Sequence, residues 1–301
     1  MAKLVGSGIS NEIAAKLEIG INHEQQHQEL LLTDIKHAFS VNPVLPVYKS
    51  GLSQASPAPV KSWVGFGEEL YDIGHDGTGF AFDNEGPRHI AWIPAFELSS
   101  HLVTNQEFRE FIAAGAYENP VYWLSDGWTL LQREHWRAPL YWLGKGDDHD
   151  VFSLRDRHPV RDSEPVCHLS FFEADAYARW VGARLPTEQE WEVASASVNP
   201  QEGEFLESRT FHPGTTLSKA PLAQMFGSVW QWTSSAYLGY PGYQPVPGAL
   251  GEYNGKFMCN QFVLRGGSVA TPANHIRRTY RNFFPPDARW QFSGLRLARW
   301  V

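Results

Sequence analysis

The chain has 301 residues, 43% hydrophobic and 19% charged, enough for one large or two modest domains and too apolar for a disordered protein. A net charge of -8 argues against nucleic acid as a partner, because phosphate binding needs a basic face. Two cysteines, Cys167 and Cys259, allow at most one bridge, and neither a signal-peptide pattern nor an apolar run of membrane-spanning length occurs; the expectation is a soluble cytoplasmic protein that does not enter a membrane.

In chain order, Ser10 is a helix cap, and Ile13, Leu17, Ile21 and Leu31 give the apolar period of a helix from about Asn11 to about Ala38. On that helix His23 and His27 are four residues apart and share one face, so two imidazoles can grip one metal ion. Gln26 lies on the same edge. The alternative is a pair of solvated surface histidines. His23-Glu24-Gln25-Gln26-His27 also fits the zinc-protease pattern with Glu24 as base, but no third-ligand motif follows at that spacing. A single amphipathic helix must bury its apolar face on something. Residues 41–62, rich in Pro, Ser and Val, read as a linker or surface wrap.

After Trp63 short strands are expected at Trp63–Phe66, Tyr71–Ile73, His89–Ile93 and Phe96–Leu98. Helices are expected at Asn105–Ala113 behind Thr104, at Phe171–Val181 behind a Ser170/Glu173 capping box, and after Thr187 with Glu190 at the box position. Beyond Gln201 turns dominate. The class is α+β with much irregular structure, held by aromatic packing from 12 Trp and 18 Phe. Those rings also suit a pocket for a cationic ligand. Asp83-Asn84-Glu85 is either a capped turn or a calcium loop.

Four blocks resemble the signature of the formylglycine-generating (sulfatase-modifying factor) domain: Arg184–Glu192, Phe226–Thr233, Leu264–Ser268 and Ser293–Ala298. Their order and spacing agree from about residue 60 to 301. The resemblance implies a C-type-lectin-like core. The two copper-binding cysteines of that family align with Thr271 and Ile276 here, so its thiolate chemistry cannot run.

A closer resemblance adds the first helix. His23-Glu24-Gln25-Gln26-His27-Gln28-Glu29, with Gly79–Glu85, Leu124–Trp128, Gly251–Phe257 and Tyr280–Pro286, is similar to the non-heme iron sulfoxide synthases of ergothioneine biosynthesis. It implies Fe(II)- and O₂-dependent joining of hercynine to cysteine or γ-glutamylcysteine, with sulfoxidation. It divides the chain into a metal-ligand helix (1–40, the remnant of a helical-bundle domain), a linker (41–62) and a formylglycine-generating-enzyme-like domain (63–301).

In that family three histidines hold the iron, and the first comes from an earlier bundle helix. Here His23 and His27 are two of the three, and the third is expected from outside the sequence, for example from a separate helical-bundle chain. The same resemblance puts Gln26, Trp290, Gln291, Phe292 and Arg296 around substrate, and it makes Tyr253 or Tyr280 the proton-delivering tyrosine. Arg296 has fold maintenance as its alternative. Phe292, where γ-glutamyl-using relatives have an acid, leans towards free cysteine as donor. His75, His89, His168 and His275 read as structural, with replacement of the missing ligand as the alternative. The competing overall reading is a non-catalytic, lectin-like binding module, or an inactive truncated homologue.

Overall fold

The structure, a computed structural model, describes residues 9–51, 57, 60–145, 148–215, 220–245 and 252–301, with backbone alone at 145, 252 and 253. Helix α1 runs Asn11–Ser40, two residues past the expected end, and the Ser10 side chain accepts from the Ile13 amide. Its buried residues are Glu29, Leu32, Thr33 and Lys36. One side of the helix is therefore docked on the rest of the chain, and the docked stripe carries an acid and a base as well as a leucine.

The expected wrap follows. The amides of Tyr48 and Lys49 both donate to the Leu154 carbonyl, at 2.9 and 3.1 Å, and the Tyr48 ring meets Phe211 edge-on at 5.2 Å. Strands β1 (Trp63–Phe66), β2 (Glu69–Ile73), β3 (His89–Ile93) and β4 (Phe96–Ser99) come next, then helices α2 (Asn105–Ala113) and α3 (Ser125–Glu134). Strands β5 (Trp142–Lys145), β6 (Asp148–Phe152) and β7 (Arg157–Pro159) make one antiparallel sheet. Helices α4 (Phe171–Trp180) and α5 (Glu188–Ala194) each open with the capping box expected from sequence.

The chain beyond Gln201 differs from the expectation of turns. It holds β8 (Trp230–Ala236), the short helix α6 (Glu252–Gly255), β9 (Phe262–Arg265), β10 (Asn282–Phe284), β11 (Ser293–Gly294) and β12 (Ala298–Trp300). Strands β10-β9-β8-β11 form a four-stranded sheet in that order. Trp230–Thr233 and Val263–Arg265 are buried on both faces, so these strands lack the alternation by which a half-exposed strand is recognised. Strand β12 pairs with β4, which also pairs with β1, so the end of the chain closes onto its first strands.

Buried rings fill the main core, with Trp191, Trp230 and Trp232 fully inaccessible. Arg265 and Arg281 converge on Glu188, with Glu192 also on Arg265. Such a buried ionic network is tolerable only when every charge is paired.

Candidate functional site

Four carboxylate and ammonium contacts along α1 fix which way it faces. The Glu29 carboxylate is buried and accepts from Trp230 Nε1 at 2.6 Å, Thr271 Oγ1 at 2.9 Å and Ser268 Oγ at 3.0 Å. Burial raises its pKa, and those hydrogen bonds oppose the rise. Thr271 is thus a hydroxyl anchor for α1, while Ile276 packs in the core. Two turns on, Lys36 is fully buried with Nζ 2.6 Å from His168 Nε2, between the rings of Tyr141 and Phe292, each 4.9 Å away. Burial lowers its pKa to about 8 and drives that of His168 well down.

This docking sets the position of the histidine pair. At roughly 100° per residue, Asn22, Glu29, Thr33 and Lys36 centre the docked side, and Ile13 and Leu31, 42% and 58% exposed, lie on the opposite side. His23 and His27 fall between the two. Their Nε2 atoms converge to 3.0 Å and their rings meet edge-on. Burial is the main cause that lowers the His23 pKa, with His27 adding to it and Glu24 opposing it. A depressed pKa keeps the imidazole neutral, as metal ligation requires.

Beside His23 opens a cavity of about 240 Å³. It is lined by the aromatic residues Phe82, Phe257, Tyr280, Phe283 and Phe284 and the amide residues Gln26, Asn84, Asn254, Asn282 and Gln291, together with Glu29, Leu30 and Arg281. The Gln26 amide donates to the Tyr280 hydroxyl. The Arg281 guanidinium is committed to Glu188, the Asn84 carbonyl and the Leu238 carbonyl. Among the described residues the wall is therefore aromatic and amide, with its charged groups already partnered.

Of the residues expected from sequence, His23, Gln26, Gln291 and Tyr280 meet at this cavity. Four do not line it: His27, which meets it only through His23, and Trp290, Phe292 and Arg296. Trp290 stands one ring behind, edge-on to Phe284 at 4.8 Å. Phe292 is fully buried against Lys36 and His168. Arg296 is also fully buried, and its guanidinium donates to the carbonyls of Ser99, Ala223 and Gln224 and to the Gln231 amide. Four of its five N–H groups are engaged in the core, out of reach of a carboxylate in the cavity. The side chain of Tyr253 lies outside the described residues.

Among the described residues no third ligand joins the pair. Among the described residues no group of three or more His, Cys, Asp or Glu is arranged to hold a metal. His275 touches α1 through Asn22 and Gln25 on the far edge of the docked side. His168 serves Lys36, His89 packs tilted against the Tyr240 ring, and the His75 ring accepts from the Gly77 amide. Asp83–Glu85 is a capped turn and no calcium loop: Glu85 takes the Phe82 amide, Arg277 and Thr279, and Asp83 takes Tyr243 and Asn254. Both cysteines are free thiols.

Residues 53–220 and 208–301 match the sulfatase-modifying factor enzyme 1-like domain. The chain belongs to that family. It is 35% identical over 307 residues to a protein named hercynine oxygenase from Mycobacterium tuberculosis, spanning 92% of this chain and 70% of the relative. The hercynine oxygenase of Mycolicibacterium smegmatis is 33% identical over 314 residues, with the same coverage. The solved structure of PvdO from Pseudomonas aeruginosa superposes with a TM-score of 0.54 at 17% identity, covering 79% of this chain and 94% of that one, a likeness of fold alone. No helix among the described residues is long and apolar enough to cross a membrane.

Several lining residues fall in the stretches that carry the family resemblance, which gave them no site role. Phe82 and Asn84 lie in Gly79–Glu85, Asn254 and Phe257 in Gly251–Phe257, and Asn282, Phe283 and Phe284 in Tyr280–Pro286. Their convergence on one wall is a tertiary fact that no local pattern carries.

Proposed function

We propose that this chain is the ligand-binding and partial metal-binding part of an Fe(II)- and O₂-dependent sulfoxide synthase acting on hercynine, built on a C-type-lectin-like scaffold. The observation that carries the reading is the 3.0 Å approach of His23 and His27 Nε2 beside an aromatic and amide cavity that His23 lines. Two neutral imidazoles set this close on one helix face are residues that would hold iron. Iron bound there would supply redox chemistry that protein side chains lack.

The chain's own groups bind and orient. Rings such as Phe82 and Phe283 suit a trimethylammonium group, which has no hydrogen to donate. The amides of Gln26 and Gln291 suit a carboxylate and a ring without adding a charge. Tyr280, buried and bonded to Gln26, is positioned to give or take a proton at the cavity, with Tyr253 as the second tyrosine proposed for that role. The overall change is hercynine plus thiol plus O₂ giving the thioether sulfoxide plus water. One oxygen atom goes to sulfur, the other leaves as water with the ring C–H hydrogen and the thiol hydrogen. Cysteine and γ-glutamylcysteine are the proposed donors.

The third ligand is proposed to arrive on a helical-bundle partner seated on the exposed Ile13 and Leu31 side of α1. That side borders His27, which supports the assignment. The test is anaerobic Fe(II) and hercynine calorimetry on this chain, alone and with such a bundle chain, followed by O₂ and thiol. Sulfoxide formation only with the bundle present is the expected result. The lack of a third ligand among the described residues favours a second reading, a hercynine-binding module without catalysis. Hercynine affinity that ignores Fe(II), with no turnover in either mixture, would decide for it.

A further inference from the structure

Helix α3 ends in left-handed backbone at His135, whose amide donates to the Leu131 carbonyl, and the chain returns to the left-handed region at Tyr141, with φ 73°. A bulky residue seldom adopts that conformation unless its surroundings hold it there. The Tyr141 carbonyl accepts from the Phe152 amide at 2.9 Å, and its ring packs on Lys36 and His168. The segment between His135 and Tyr141 lines one side of a cavity of about 710 Å³. Small-molecule sites occupy roughly 300–1,000 Å³. This cavity shares no lining residue with the one beside His23, so its ligand is independent of the hercynine reading.

Arg289 lines the cavity with a side chain only 9% exposed. Its guanidinium lies over the Trp136 ring at 4.1 Å. Nη2 donates to Glu173 Oε1 at 2.8 Å and to the Ala138 carbonyl. Glu173 is inaccessible and also accepts from the Tyr117 hydroxyl and from the amide and hydroxyl of Ser170, so that carboxylate stays behind the arginine. Nε is enclosed, whereas Nη1 is not enclosed and has no partner among the described residues. What Arg289 offers the cavity is therefore one donor edge with two hydrogens, held in place from behind.

An open guanidinium edge is complementary to a carboxylate oxygen. The lining residues carry two arginines, Arg137 and Arg289, against one acid, Glu118. One donor edge and that balance suit a monoanion better than a phosphate dianion. Trp136, Tyr141 and Trp142 also line the cavity, and aromatic rings pack well against a flat body, offset or edge-on. We propose that this cavity is a second ligand site, for an aromatic monocarboxylate, with Arg289 Nη1 on the carboxylate and these three residues around the ring.

The test is calorimetry of the full chain with naphthylacetate and with naphthylacetamide, its uncharged counterpart of the same shape. The unmodified chain should bind the acid about tenfold more tightly than the amide, with a Kd of about 1 mM or below. Arg137→Glu reverses a charge at an exposed lining position and should weaken the acid about threefold or more. Arg289→Met should bring acid and amide within about twofold; it also takes a donor from Glu173, so the comparison on the unmodified chain and Arg137→Glu decide the matter if it does not fold. Phe283→Ala, in the other cavity, should leave the acid's affinity unchanged. No binding of the acid at about 5 mM, equal binding of acid and amide, indifference to Arg137→Glu, or loss in Phe283→Ala would each overturn the inference, and none of these results bears on whether hercynine binds beside His23.

Discussion

Glu29 is the group on which the docking of α1 can be tested most directly. Glu29→Ala removes the acceptor of three buried donors, Trp230 Nε1, Ser268 Oγ and Thr271 Oγ1. The two hydroxyls are 3.3 Å apart and can satisfy each other, which leaves the indole N–H as the main orphan. One orphan at about 1–3 kcal/mol, with a small cavity added, gives a loss of about 2–4 kcal/mol. Glu29→Gln behaves differently. Its amide oxygen still accepts from Trp230, and its NH₂ donates to Thr271, whose hydroxyl can accept. It also removes a carboxylate that burial disfavours. Because the folded pKa is raised, the carboxylate's stabilising protonation is present at low pH and lost as pH rises through the folded value. At neutral pH Glu29→Gln is therefore expected to be neutral or stabilising by up to about 1 kcal/mol. Urea unfolding of the three proteins at pH 7 reads both values. Equal losses for Gln and Ala, or a loss below about 1 kcal/mol for Ala, would refute the reasoning.

Lys36→Met should stabilise the chain at pH 7 by about 1–3 kcal/mol, since a fully buried ammonium held down to about 8 carries a penalty that is full below the folded pKa and disappears above the unfolded one; the difference in unfolding free energy between the two proteins should shrink between pH 8 and 10.5. His27→Ala should abolish one-to-one Co(II) or Fe(II) binding in anaerobic titration without changing the urea midpoint, because His27 is exposed and its side chain pairs with His23. Arg296→Ala should cost about 3–5 kcal/mol by leaving buried carbonyls unpaired, and a variant that stays folded should keep its hercynine affinity. Tyr280→Phe should weaken hercynine binding less than tenfold through loss of the Gln26 contact, while slowing turnover more, in any assembly that turns over.

Local rules were legible where their cause is local. The helices behind Thr104, Ser170 and Thr187 begin where their caps stand, because capping is decided within four residues. The His23/His27 spacing gave the convergent pair for the same reason. Strands β8 and β9 were hidden, since a segment buried on both faces shows no alternation. Arg296 and Phe292 illustrate the other limit. Family pattern set them near the ligand, and the accounting of their contacts puts both in the core; only partners brought from distant parts of the chain tell a clamping arginine from a structural one.

By itself, then, the sequence determined the helix that carries the histidine pair, the spacing of that pair and the family of the domain that follows, all of which rest on short-range periodicity or contiguous motifs. Tertiary structure decided which side of α1 is docked, through Glu29 and Lys36, and hence that the pair opens beside five rings and five amides. It also decided that Arg289 keeps a donor edge open at a second cavity. Those outcomes depend on contacts between residues up to 254 positions apart, where the direction of each side chain is fixed by packing and by the need to pair every buried polar group.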